Sequence, residues 1–130
     1  MPHILVIEDE LGFREPLVKI LQNDGHTVAV AGDGAEALKL LGTIRPELII
    51  TDILMPKMDG IEVIIALSHA SHGVPIIAMS GGRRSVTAEF TLSSAEMMGV
   101  SATLAKPFSR ADLRLAIKQA LTSSVSEPGR

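Results

Sequence analysis

The chain contains no cysteine, no tryptophan and no tyrosine, and its only aromatic residues are Phe13, Phe90 and Phe108. Without cysteine there is no disulfide scaffold, no cysteine-held zinc and no thiol chemistry. Three phenylalanines are too few for the stacking platforms of single-strand nucleic-acid modules or for an aromatic ligand cage. A formal net charge of −3 over 130 residues argues against a general binder of polyanions. Uninterrupted apolar runs are short, as at 4–7 and 63–67. None approaches the ~20 residues of a membrane-spanning helix, and no signal-peptide pattern opens the chain. The default expectation is a soluble cytoplasmic domain with neither nucleic acid nor membrane as partner.

What is present is an alternation of β-rich and helical stretches, on a length typical of one domain. The run Ile4-Leu5-Val6-Ile7 is apolar throughout, as expected of a strand covered on both faces. A helix is predicted over 11–23, with Phe13, Leu17, Ile20 and Leu21 on one stripe and Gly25 ending it. Pro16 lies early in that stretch, so the regular helix is expected to start late. Further strands are predicted at 27–30, 48–51, 76–79 and 102–105, and helices at 35–41, 60–70 and 88–98, with a loop at 81–87. Asp33 is a candidate cap of the second helix. Ser109, with Asp112 three residues on, caps a last helix. Its core-facing stripe is Leu113, Ala116, Ile117, Ala120 and Leu121. Residues 1–121 thus read as the folded domain and 122–130 as a flexible tail. Such alternation implies an α/β fold, a doubly wound five-stranded parallel sheet with helices on both faces.

In such folds the chemistry gathers at the carboxyl ends of the strands. Those ends carry Glu8, Asp9 and Glu10 after the first strand, Asp52 after the third, Ser80 and two glycines after the fourth, and Lys106-Pro107 after the fifth. Glu8, Asp9 and Asp52 brought together repel one another, and a hard divalent cation relieves that repulsion. Mg²⁺ suits a few carboxylates plus phosphate oxygens. Lys106 supplies a point charge for a phosphate, and the Ser80 hydroxyl a hydrogen bond. No serine, histidine or cysteine stands beside a base in a hydrolase pattern, so the candidate nucleophile is a carboxylate that forms an aspartyl phosphate. The plainer reading of Glu8-Asp9-Glu10 is an acidic helix N-terminus, which favours the dipole. Asp52 and Lys106 at the same edge weigh against it.

These motifs together resemble the response-regulator receiver domain of two-component signalling. They are Ile7-Glu8-Asp9-Glu10, then Thr51-Asp52-Ile53-Leu54-Met55-Pro56 with Met58-Asp59-Gly60, then Ala78-Met79-Ser80, and finally Lys106-Pro107-Phe108. Four motifs in order, each at a strand end, are specific, and the likeness spans residues 3–121. The resemblance implies a flavodoxin-like strand order 2-1-3-4-5. It implies Asp52 as phosphoacceptor and Mg²⁺ held by Asp9 directly, by Glu8 through water, by Asp52 and by the Leu54 backbone carbonyl. Ser80 would reorient toward the phosphoryl group, and Lys106, before a cis bond to Pro107, would contact a phosphate oxygen. The phosphodonor would be a histidine kinase or a histidine phosphotransfer protein, and the output a conformational change read by a downstream protein target. The domain would catalyse its own Mg²⁺-dependent phosphorylation and dephosphorylation, without turnover of an independent substrate.

Three departures from the family pattern stand out. Thr103 occupies the position, three residues before the lysine, where the family often keeps an aromatic switch residue. The stretch between Ser80 and Lys106 is longer than in typical members, which predicts a mobile loop at 81–87 that orders on phosphorylation. Leu54 and Gly82 stand at the positions that tune phosphate lifetime, and neither side chain can orient an attacking water. Slow self-dephosphorylation is therefore expected. The helix at 61–67 is apolar nearly all round, so a neighbouring element or a partner covers it, a homodimer being one such arrangement. His69 and His72 have helical metal-pair spacing but no third ligand, which favours solvated histidines.

Other functions fit less well. A haloacid-dehalogenase-type phosphotransferase needs a second aspartate where Leu54 stands. A flavin carrier would need a phosphate loop in place of Glu8-Asp9-Glu10. A docking-only receiver would not need the full set of Asp9, Asp52, Ser80 and Lys106. The expectation is a single-domain phosphoacceptor switch. The alternatives kept open are an intermediate receiver of a phosphorelay or a receiver fragment of a larger regulator.

Overall fold

In a computed structural model, which describes residues 3–52, 54–55, 58–71, 73–80 and 100–125, the apolar run behind His3 becomes β1 (His3–Ile7). It is flanked by β2 (Thr27–Ala31) and β3 (Leu48–Asp52), in register Ile7↔Ala31 and Ile7↔Thr51. Beyond β3 lie β6 (Ile76–Ser80) and then β7 (Ala102–Ala105). All four pairings are parallel and the order is β2-β1-β3-β6-β7, which in terms of the sheet's own strands is 2-1-3-4-5. Parallel strands need crossovers, and the helices that supply them cover the sheet.

The alternation hidden inside the uniformly apolar strands decides which helix covers which face. Ile4, Val6, Leu48, Ile50, Ile77 and Met79 pack with Leu17 and Leu21 of α1 (Leu11–Asn23) and with Leu113, Ala116, Ile117 and Ala120 of α4 (Arg110–Val125). Leu5, Ile7, Ile49, Ile76 and Ala78 pack on the other side with Ala37 of α2 (Gly34–Leu40) and Leu67 of α3 (Gly60–Ala70). Each strand thus sends successive side chains to opposite cores. The last helix uses the predicted stripe: Leu113, Ala116, Ile117 and Ala120 are buried, with Leu121 packed against them.

Differences from the expectations are local. α1 begins at Leu11 with Pro16 inside it, rather than starting late. Proline removes the amide that would donate to the Gly12 carbonyl, but Gly12 and Pro16 are both exposed, so water can satisfy that oxygen. Asp33 caps α2 as predicted, accepting from the Glu36 amide at 2.8 Å. Glu36 in turn accepts from the Gly32 amide at 2.6 Å. A short antiparallel pair, β4 (Leu54–Met55) and β5 (Met58–Asp59), lies between β3 and α3, where no strand was predicted. Two-residue strands carry no periodicity for a pattern to find. α4 continues to Val125, four residues past the end of its apolar stripe, because backbone hydrogen bonding propagates cheaply from a formed helix. The predicted helix at 88–98 and loop at 81–87 lie outside the described residues, as do residues 126–130.

Core and surface isoleucines make a sharp contrast testable by denaturant unfolding. Ile50 is fully buried and Ile65 on α3 is 42% exposed. Ile50→Ala is expected to cost about 2–5 kcal/mol through lost burial and a cavity. Ile65→Ala is expected to stay within about 0.5 kcal/mol of the parent.

Candidate functional site

The site begins where β1 ends. The Glu8 amide donates to the Ala31 carbonyl at 3.0 Å, carrying the β1–β2 ladder one residue past Ile7. That contact fixes the backbone from which the Glu8 side chain projects, and the carboxyl is fully buried. Asp52 is the last residue of β3, in register with Met79 of β6. Lys106 follows directly after β7, and its bond to Pro107 is cis. Strands that end level with one another therefore deliver these three side chains to one sheet edge.

The Lys106 ammonium lies between the two acids. Its Nζ donates to Glu8 Oε1 at 2.7 Å and to Asp52 Oδ2 at 2.9 Å. The second Glu8 oxygen, Oε2, accepts from the Glu10 amide at 3.1 Å, and Arg14 Nη1 donates to the Glu8 carbonyl at 3.2 Å. The Thr51 hydroxyl donates to the Asp52 carbonyl at 3.0 Å. On a third side the ammonium sits 4.1 Å from the centre of the Phe13 ring. Phe13 meets Phe108 edge to face, with centroids 5.5 Å apart and planes at 82°.

Burial dominates the electrostatics. It pushes the Glu8 carboxyl up to about 7 against the hydrogen bond from Lys106, and the nearby Asp52 charge pushes the same way. Burial alone would pull Lys106 down. The bonds and charges of Glu8 and Asp52 outweigh it and hold the ammonium above its ordinary value.

Asp9, which is exposed, completes the acidic group: one carboxylate oxygen each from Glu8, Asp9 and Asp52 lies within 4.8 Å of the others. Three carboxylates against one ammonium leave an excess of negative charge at a partly open edge. An all-oxygen donor set of this kind fits a hard divalent cation such as Mg²⁺.

Of the residues predicted from sequence, Glu8, Asp9, Asp52 and Lys106 come together. Ser80 is the last residue of β6, in register with Ala105, one position before Lys106. Leu54 opens β4 two residues after Asp52 and pairs with Asp59. Thr103 is half-buried on β7, in register with Ala78. His69 is exposed, and His72 lies outside the described residues. Sequence reasoning missed Phe13, Phe108 and Arg14 as neighbours of the site. The only signal for Phe108 was its place two residues after the lysine, and Phe13 read simply as part of a core stripe.

The family model described as the response regulator receiver domain matches residues 4–118. The DNA-binding response regulator MtrA of Mycolicibacterium paratuberculosis is 33% identical over 125 residues, covering 96% of this chain and 53% of its own. The chain thus spans about half the length of the curated relatives it matches. Among solved structures, the chemotaxis protein CheY4 of Vibrio cholerae superposes with a TM-score of 0.81 at 28% identity, covering 93% of this chain and 99% of its own. The response regulator TrrA of Thermotoga maritima, solved with Mg²⁺–BeF, superposes with a TM-score of 0.79 at 29% identity, covering 93% of this chain and all of its own. No described helix is long and apolar enough to cross a membrane.

The raised Glu8 carboxyl gives a pH dependence with a definite sign. In metal-free buffer the folded chain keeps a proton on Glu8 up to about 7, whereas an ordinary glutamate loses it near 4.5. The folded state binds more protons between those values, so this group's contribution to stability falls as pH rises through that window. Thermal melts without divalent cation are expected to show a lower Tm near pH 8 than near pH 5, with a flatter profile in Glu8→Gln.

Proposed function

Given that the chain belongs to the response regulator receiver domain family, we propose that Asp52 takes a phosphoryl group from a phosphohistidine of a histidine kinase or histidine phosphotransfer protein and that the modified domain signals to a downstream protein. The observation that carries this reading is the placement of Asp52 at the carboxyl end of a central strand, with the Lys106 ammonium 2.9 Å away and two more carboxylates beside it.

An Asp52 carboxylate oxygen forms the new P–O bond as the P–N bond of the donor breaks. The imidazole leaves with the electron pair, and departs neutral because its other ring nitrogen already carries the single N–H. Lys106 stays protonated and turns from the carboxylates to a phosphoryl oxygen, and the Ser80 hydroxyl bonds another. Asp9, Asp52 and the Leu54 carbonyl would hold Mg²⁺, with Glu8 acting through water. When bound, the ion neutralises charge on the carboxylates and on the transferring group. That TrrA, of the same fold, was solved with Mg²⁺–BeF supports a Mg²⁺-dependent reading here. Hydrolysis of the acyl phosphate is slow, because neither Leu54 nor Gly82 offers a polar side chain to orient water. Thr103 carries no ring, so the response proceeds without an aromatic side chain swinging inward at that position.

The length of the relatives favours one second reading. MtrA is named as a DNA-binding regulator and this chain matches about half of it. The unit described here would then be the receiver part of a longer regulator, and the expectation of no nucleic-acid partner would apply to this part alone.

Incubation with Mg²⁺ and acetyl phosphate tests the reading. The parent chain is expected to gain a single base-labile phosphoryl adduct, seen as a mass increase, and Asp52→Asn to gain none. Lys106→Ala is expected to react at least about tenfold more slowly, as for loss of one charged transition-state contact. Chelation of Mg²⁺ should stop the reaction.

A further inference from the structure

This inference rests on the proposed phosphoryl transfer to Asp52 and concerns how Lys106 is readied for it. We propose that Phe13 is a positioning residue, whose ring face holds the Lys106 ammonium between Glu8 and Asp52 and leaves it free to turn to a phosphoryl oxygen.

The geometry is specific. The Lys106 side chain is only 10% exposed, so little water reaches its charge. Two sides of the ammonium are occupied by Glu8 Oε1 and Asp52 Oδ2, at 2.7 and 2.9 Å. The Phe13 ring centre lies 4.1 Å from Nζ, within the range where the negative face of an aromatic quadrupole attracts a cation. The ring is itself restrained. Phe13 is on the first turn of α1 and packs against the α1–α4 core, and Phe108, two residues past Lys106, braces it edge to face.

An aromatic face suits this place better than other partners would. A third carboxylate would deepen the excess of negative charge and pin the ammonium. An aliphatic side chain would leave a desolvated charge with nothing opposite it. A ring face compensates the charge without accepting a directed hydrogen bond, so the ammonium can swing between oxygens at little cost. Two of the chain's three phenylalanines are spent on this corner.

Phenylalanine analogues carrying one, two or three ring fluorines at position 13 weaken the quadrupole stepwise while nearly keeping ring shape and apolar packing. The readout is the Mg²⁺-dependent rate of Asp52 phosphorylation by acetyl phosphate, taken as a saturation curve. The maximal rate is expected to fall progressively, by about three- to tenfold at the trifluoro stage, with half-saturating donor concentration unchanged. Phe13→Trp is expected to retain most of the rate and Phe13→Leu to match or fall below the trifluoro analogue. Equal or rising rates along the fluorine series, in analogues whose melting temperature matches the parent, would overturn the assignment. If instead the parent gains no phosphoryl group on Asp52, it is the underlying reading of the site that fails.

Discussion

Everything at this sheet edge depends on one ammonium between two buried carboxylates. Lys106 contacts Glu8 and Asp52 at hydrogen-bond distance, and none of the three has much access to water. Removing one member of such a group leaves charge uncompensated in a low-dielectric setting, which costs far more than a surface ion pair is worth. The arrangement also carries an excess of negative charge, because Asp9 adds a third carboxylate nearby. A site built this way suits a hard cation, and on the proposed reading the lysine that is now internal counter-ion would also become the phosphate contact.

The fold exists to hold that geometry without help from the site itself. Burying three charged groups is unfavourable, so the favourable free energy comes from elsewhere, namely the two apolar cores on either side of the sheet. The strands that carry Glu8 and Asp52 are central and covered on both faces, which makes their ends the stiffest points available. Lys106 comes from the loop after the edge strand β7. Its position needs further restraint, and the Phe13–Phe108 pair supplies it where the loop meets α1. A bidentate ion pair from Arg114 to Asp24, with contacts of 2.9 and 3.0 Å, ties α4 to the end of α1 on the same face of the sheet.

How much of this could be read in the sequence follows from the range of the interactions. The apolar runs at 4–7 and 76–79 are strong local signals, and their β-branched residues leave little choice but a buried strand. Punctuation by glycine and the spacing of Leu17 and Leu21 placed α1 to its last residue, while Pro16 misled about its start because exposure of the neighbouring backbone cannot be seen in a pattern. Glu8, Asp9, Asp52 and Lys106 were legible because parallel α/β topology sends every strand end to one edge. The bond from Lys106 to Glu8 spans 98 positions, and its distance and burial are tertiary facts. The same holds for Phe13 beneath the ammonium: a stripe assigns it to the core side of a helix and does not say what lies against the ring. β4 and β5 are too short to leave a periodic trace.

The central claim is that Lys106 is the resting counter-charge of the acidic group, competing there with a divalent cation. Calorimetric titration of Mg²⁺ into the parent chain and into Lys106→Met, a substitution that keeps length and removes charge, tests it most directly. Tighter Mg²⁺ binding in the variant, together with loss of fast phosphorylation at Asp52, is the predicted result. Equal or weaker Mg²⁺ binding in a folded Lys106→Met chain would contradict it.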